Sequence, residues 1–80
     1  MVHNDVTYIL TRTTLAKMKP GEKFVITENA TAIYEVVGLT PVASGNDHTH
    51  AWVKRGDNKS SLLLYTSVYR MDLDINSFFN

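Results

Sequence analysis

The feature that most constrains this fold is a strand, turn, strand pattern in residues 19–39 (KPGEKFVITENATAIYEVVGL). The pattern opens on a turn sequence. Pro20 presets φ at the first central position, and Gly21 tolerates the positive φ that the second position requires. An extended segment is therefore expected to begin near Glu22.

Alternation of apolar and polar side chains predicts that segment to be a strand at residues 23–27, with Phe24 and Ile26 on one face. Residues 31–39 are rich in β-branched and aromatic side chains, which predicts the returning strand. Because a two-stranded hairpin is marginal in water, other segments must supply further strands.

Four more segments show a strand pattern and are separated by turn residues: 6–10, 47–55, 59–65 and 70–74. Residues 55–58 (RGDN) predict the turn of a second hairpin. Residues 15–18 predict a short helical turn that ends before Pro20, and residues 66–69 a brief 3₁₀ turn. The polar residues 1–5 are expected to be frayed.

Together these segments predict an all-β fold, in which five or six short strands close into a small barrel with one short helical turn. A chain of 80 residues supports one thin core, so residues 1–80 are expected to form a single domain. The chain contains no cysteine, and a disulfide therefore cannot staple the fold.

Apolar and turn residues occur along the chain in the following order: Leu15, residues 18–24 (MKPGEKF), residues 34–37 (YEVV), Val53 and residues 68–69 (VY). This order resembles small SH3-like barrel proteins, many of them encoded by bacteriophages and bacteria. The resemblance implies a binding module of the accessory type and carries over no catalytic residue.

The role of Trp52, the single tryptophan, depends on the register of its strand. If Ala51 and Val53 face the core, Trp52 faces outward with His50 and Lys54, a composition typical of a binding hot spot. In the opposite register Trp52 is the largest side chain of the core. The sequence leaves both alternatives open.

Charge and hydropathy limit the compartments and partners that we expect. Eight Lys or Arg side chains balance eight Asp or Glu, which argues against affinity for nucleic acid through bulk charge. No stretch approaches the roughly 20 apolar residues of a membrane helix, and the N-terminal residues lack the pattern of a secretory signal. The composition therefore predicts a soluble cytoplasmic protein.

Motifs for catalysis are sparse. His48 and His50 project to one side of a strand, and His3 or Asp47 would have to complete a metal site, since zinc needs at least three protein ligands. Solvent-facing histidines are the favoured interpretation, and no metal or other cofactor is expected. Asp72 and Asp74 share a strand face but are more typical of an edge that resists sheet pairing. We therefore expect no enzyme.

Two hypotheses for the function follow. The first is a non-catalytic protein-binding module, such as a phage-type accessory protein that inhibits or redirects a host protein; a homo-oligomer formed through the same residues is compatible with it. Its candidate contact residues are Trp52, His50, Lys54, Arg55, Phe78 and Phe79. The alternative is a barrel that binds nucleic acid by stacking a base on Trp52. Its phosphate contacts would come from Lys17, Lys19, Lys23, Lys54, Arg55 and Lys59.

Overall fold

The computed structural model describes residues 1–41 and 48–78. Within them the chain forms seven strands in one antiparallel sheet: β1 Val2–His3, β2 Val6–Thr14, β3 Lys23–Val25, β4 Tyr34–Pro41, β5 His48–Arg55, β6 Asn58–Leu63 and β7 Ser67–Leu73. Two 3₁₀ turns lie at Leu15–Lys17 and Ile75–Phe78. The all-β prediction is confirmed. The predicted number of strands, five or six, was too low. The sequence predicted the first 3₁₀ turn as a short helical turn but did not predict the second.

The predicted turns of both hairpin regions are confirmed. Gly21 has φ of 92°, and the Glu22 N–H donates to the Lys19 carbonyl at 3.1 Å, as a type II turn requires. Gly56 has φ of 60° at the first central position between β5 and β6, which fits the type II′ turn of a two-residue hairpin.

The N-terminal residues form a hairpin, where the sequence predicted a frayed end. Asn4 and Asp5 both have positive φ, 51° and 65°, which is the requirement of a type I′ hairpin turn. The turn pairs β1 with β2, and the Met1 ammonium donates to the Tyr8 carbonyl at 3.1 Å. Short polar side chains tolerate the left-handed region, and this local chemistry stabilises the hairpin.

The strands lie in the order β1-β2-β7-β3-β4-β5-β6. Strand β7 is inserted between β2 and β3. It begins at Ser67, so residues 67–69 form part of a strand where the sequence predicted a 3₁₀ turn. The described pairings leave β1 and β6 at the two ends of the sheet, so the sheet is not closed into the predicted barrel.

The main core lies on one face of this sheet. It is built on fully buried side chains from the first 3₁₀ turn and four strands: Leu15, Phe24, Val36, Ala51, Val53 and Val68. The Phe24 ring stacks on Tyr34 with a centroid distance of 5.4 Å. The first 3₁₀ turn closes one end, since the Ala16 N–H donates to the Leu64 carbonyl at 2.9 Å. No helix in the described part of the chain has the length and hydrophobicity to cross a bilayer.

A smaller apolar layer lies on the opposite face of the central strands. Val25 follows Phe24 on β3, so alternation directs it away from the main core, yet Val25 is fully buried. Val25 is the register partner of Tyr69, and the buried Met71 follows two residues later on β7 with the same orientation. The second face of β3 and β7 is therefore covered at Val25 and Met71, whereas Trp52 on β5 and Ser61 on β6 are exposed.

Candidate protein-binding face

Trp52 projects from the sheet on the side opposite the core. Its neighbours Ala51 and Val53 are fully buried, and Trp52 is 41% exposed. This result decides between the two alternatives left open by the sequence, because one register cannot place all three side chains in the core. Trp52 is an outward-facing residue of β5.

The side chains around Trp52 form a surface that we call the outer face, meaning the side of β4, β5 and β6 opposite the core. Register partners on adjacent strands share a face, so the outer face can be read in three rows across the sheet. The rows are Lys23 (on the neighbouring β3), Glu35, Lys54 and Lys59; then Gly38, Trp52 and Ser61; then His50 and Leu63. Trp52 occupies the central position of the middle row.

The first row is charged. Lys54 Nζ lies 3.4 Å from Glu35 Oε2, and both side chains are partly exposed. Lys23 and Lys54 line a shallow cleft of about 220 Å³ together with Glu35 and Tyr34. The single acid lies between two lysines in the register, so this row carries a net positive charge.

The middle row contains a gap beside the tryptophan. Gly38 is the register partner of Trp52, and a Cβ placed on Gly38 would meet no other atom within 4 Å. The ladder is irregular between Val36 and Gly38, which leaves Val37 partly exposed. A glycine inside a strand commonly marks a bulge or a place where a ligand or another backbone approaches. The chain therefore offers open space on one side of Trp52.

The third row adds an exposed apolar side chain and a histidine. Leu63 is 58% exposed and is the register partner of His50, which is half-buried. Leu63 is also a diagonal neighbour of Trp52, a spacing that long side chains can bridge. The apolar part of the outer face therefore extends from Val37 through Trp52 to Leu63.

The structure places the other predicted contact residues away from this face. Arg55 flanks the hairpin turn and is exposed, but alternation along β5 directs it to the side opposite Trp52. Phe78 ends the second 3₁₀ turn, beyond β7, and two strands separate β7 from β5 in the sheet order. The prediction for Phe79 lies outside the described residues.

The basic residues of the nucleic-acid hypothesis are only partly brought together. Lys23, Lys54 and Lys59 lie in one row. Lys17 lies in the first 3₁₀ turn and Lys19 in the following turn, and neither lines the cleft. A continuous track of all the predicted cations is not seen in the described residues.

The residues that a metal site would have required are also separated. His3 lies on β1, and four strands separate it from β5 in the sheet order. His3 Nε2 is 3.3 Å from the Asn4 amide nitrogen. The alternative third ligand, Asp47, lies outside the described residues. Among residues 1–41 and 48–78 no three His, Cys, Asp or Glu side chains are grouped to hold a metal ion.

Asp72 of β7 takes part in a local polar cluster. Arg70 Nε donates to Asp72 Oδ1 at 3.0 Å, and the Thr11 hydroxyl of β2 donates to Asp72 Oδ2 at 2.9 Å. The hydrogen bond to Asp72, together with its negative charge, raises the pKa of Arg70. Asp72 thus links β2 to β7, and because β7 lies inside the sheet, the prediction that Asp72 protects an edge was wrong.

No protein-family model, curated protein or solved structure matches this chain. The outer face is therefore the feature from which a function can be inferred. Its least predictable members were Gly38, Ser61 and Leu63, none of which was singled out from the sequence. A signal was available for Gly38, because glycine is uncommon inside a strand that otherwise reads YEVVGL.

Proposed function

We propose that this chain is a non-catalytic protein-binding module and that the outer face around Trp52 is its contact surface. The single observation that carries the proposal is the position of Trp52, exposed on a central row between an empty position at Gly38 and a small side chain at Ser61. Tryptophan is enriched in the residues that dominate binding energy at protein interfaces.

The surroundings of Trp52 suit such a contact. A partner side chain can enter the space above Gly38 and pack against the indole, while the apolar Val37 and Leu63 enlarge the dry area. The charged row with Lys54 and Glu35 borders this area, which resembles the polar rim that surrounds the apolar centre of an interface. Trp52 is anchored between the buried Ala51 and Val53, so its backbone is positioned before a partner arrives.

The cleft beside the charged row supports binding of a protein more than binding of a small molecule. Its volume of about 220 Å³ is below the roughly 300–1,000 Å³ of typical small-molecule sites. Its one acid, Glu35, is paired with Lys54. A large partner that rests on the whole outer face would cover the cleft as part of the rim.

The narrower form of the proposal concerns the partner. The resemblance to SH3-like accessory proteins of phages and bacteria supports a host protein as the target, inhibited or redirected by the contact in the cytoplasm. His50 was also a candidate contact residue, and it fits the outer face because it lies in the row next to Trp52. Phe78 would belong to a second contact, because the sheet order separates the second 3₁₀ turn from β5. Phe79 lies outside the described residues.

The experiment is affinity capture with the tagged full chain from bacterial lysate, followed by mass spectrometry and measurement of the affinity with the purified partner. Trp52→Ala should weaken the affinity by about 2 kcal/mol or more, roughly thirtyfold in Kd. The matched control is Tyr65→Ala, an 83% exposed aromatic outside the outer face, which should leave the affinity unchanged. If wild type and Trp52→Ala recover the same proteins with equal affinity, the proposal is wrong.

Binding of nucleic acid is the second candidate, and one observation favours it. Lys23 and Lys54 line the same cleft, and Lys59 continues their row at the edge of the sheet. Such binding must weaken as the salt concentration rises, and each lost phosphate contact lowers the salt slope by about one. Absence of retention on single- or double-stranded nucleic acid at low salt would exclude this candidate.

A further inference from the structure

The two ends of the sheet differ in a way that matters for assembly. Strand β1 is two residues long, whereas β6 has six residues and, among the described strands, pairs only with β5. Five of the six β6 residues are exposed. No other described strand makes extensive contact with β6. An edge strand of this length presents a row of backbone groups that can pair with another chain.

The hairpin turn fixes which backbone groups of β6 point outward. In a two-residue hairpin the residues that flank the turn, here Arg55 and Asn58, form a hydrogen-bonded pair. Hydrogen-bonded and non-hydrogen-bonded pairs then alternate along the ladder. The N–H and C=O groups of Lys59, Ser61 and Leu63 are therefore directed away from β5.

The β6 edge carries few of the features that prevent pairing. It contains one lysine and no proline, and its register with β5 is unbroken from Asn58 to Leu63. Natural edges are commonly protected by bulges, by proline, by several charges or by short length. The short β1 has such protection, and β6 does not.

We propose that β6 pairs with β6 of a second copy of this chain, antiparallel and centred on Ser61, to form a closed dimer. In this register the two Ser61 residues lie opposite each other, and Lys59 of one copy lies opposite Leu63 of the other. The arrangement keeps the two lysines apart, and each Leu63 gains the aliphatic stem of a lysine as cover. All the outward-directed backbone groups of Lys59, Ser61 and Leu63 find partners.

A second copy fits this edge better than an unrelated strand because the edge complements itself. The same strand serves both copies, so a two-fold axis through Ser61 uses up both edges and growth ends at two chains. The free end at β1 is too short to continue the sheet. The inference does not depend on the partner proposed for Trp52.

The dimer has a geometric consequence for the outer face. The two-fold axis of an antiparallel edge pair stands perpendicular to the sheet, so both outer faces lie on the same side. The two Trp52 residues, one on β5 of each copy, are then separated by three strand spacings, about 14 Å. One continuous surface presents two tryptophans, which allows bivalent contact.

Sedimentation equilibrium of the full chain across a wide concentration range tests the proposal. The weight-average mass should rise from the 9.0 kDa of the monomer towards twice that value and then stop. A mass that stays monomeric at every concentration, or one that increases without limit, would overturn the proposed dimer.

A charge exchange tests the register. Leu63→Lys places a lysine opposite Lys59 of the other copy, so the dissociation constant of the dimer should rise at least about tenfold. Adding Lys59→Glu restores an opposite-charge pair in this register and should recover the dimer. Because Lys59 is the register partner of Lys54, the glutamate also suits its own sheet. Failure of the double variant to dimerise, while circular dichroism shows it folded, would contradict the register.

Cysteine cross-linking gives an independent readout, since the natural chain has no cysteine. In the proposed dimer Ser61→Cys brings two Cα atoms to about 5.5 Å, within the range of a disulfide. The matched control, Ser60→Cys, is displaced from the axis and should form no cross-link on oxidation. Efficient cross-linking of Ser60→Cys instead of Ser61→Cys would refute the assigned axis. Trp52→Ala separates the two proposals, because it should weaken partner capture and leave the mass in sedimentation dimeric.

Discussion

Trp52 of β5 is the register partner of Gly38 of β4, so the largest side chain of the outer face stands beside a position that has none. The indole is partly exposed, while the residues before and after it are fully buried. This relationship separates the outer face from the core. Substitutions on the two sides of the sheet should therefore have different effects on stability and on binding.

Trp52→Ala should lower the free energy of unfolding by only about 1 kcal/mol, as expected for a partly exposed side chain. Phe24→Ala should cost about 3–5 kcal/mol, because Phe24 is fully buried and stacks on Tyr34. Urea unfolding followed by circular dichroism measures both, since Trp52 is the only tryptophan available for fluorescence. Equal costs for the two variants would mean that Trp52 is part of the core.

Two glycines should respond differently to alanine. Gly21→Ala should destabilise by about 1–3 kcal/mol, because φ of 92° is strained for any residue with a Cβ. Gly38→Ala should instead be neutral or stabilise by about 0.5–1 kcal/mol, since its Cβ meets no atom and alanine reduces the entropy of the unfolded chain. Thermal unfolding of both variants checks the prediction, and a lower midpoint for Gly38→Ala than for Gly21→Ala would contradict it.

Filling the space above Gly38 should affect binding without affecting the fold. Gly38→Thr introduces a β-branched side chain that suits a strand and occupies the gap beside Trp52. We expect a folded protein with unchanged thermal midpoint and weaker partner affinity, measured by calorimetry with the captured partner. Unchanged affinity would show that the partner does not enter this gap.

Glu35→Gln distinguishes the two candidate functions. The ion pair with Lys54 is partly exposed, so its loss should cost at most about 1 kcal/mol of stability. The variant leaves Lys23 and Lys54 without an intervening acid in the same row. A nucleic-acid-binding protein should then bind more tightly at low salt, whereas weaker or unchanged retention of nucleic acid opposes that candidate. Filter binding over a salt series measures the change.

The N-terminal hairpin gives a prediction about stability. Asp5 has φ of 65° at the second central position of its turn, where glycine carries no steric penalty. Asp5→Gly should therefore stabilise the protein by about 1 kcal/mol, and Asp5→Val should destabilise it, because a β-branched residue is strongly disfavoured at positive φ. Hydrogen exchange of the Tyr8 amide, which donates to the Met1 carbonyl, reports the change locally.

Much of the local structure was predictable because it depends on neighbours in the chain. The turns at Gly21 and Gly56 follow from glycine and proline chemistry, and both appear where they were predicted. The strand at residues 6–10 was found but continues to Thr14, while the strand at 23–27 ends at Val25. Strand ends shift in this way because they depend on pairing with other strands.

The sequence by itself determined the alternation of β5 and the turns that separate the strands, because these properties involve bonds and sterics within a few residues. Only the tertiary structure decided that Trp52 faces outward, that β7 inserts between β2 and β3, and that β6 remains at an edge. Period-two alternation assigns the side chains to two faces but does not determine which face is buried. The burial of Val53 and the pairing of residues distant in the chain settle that choice.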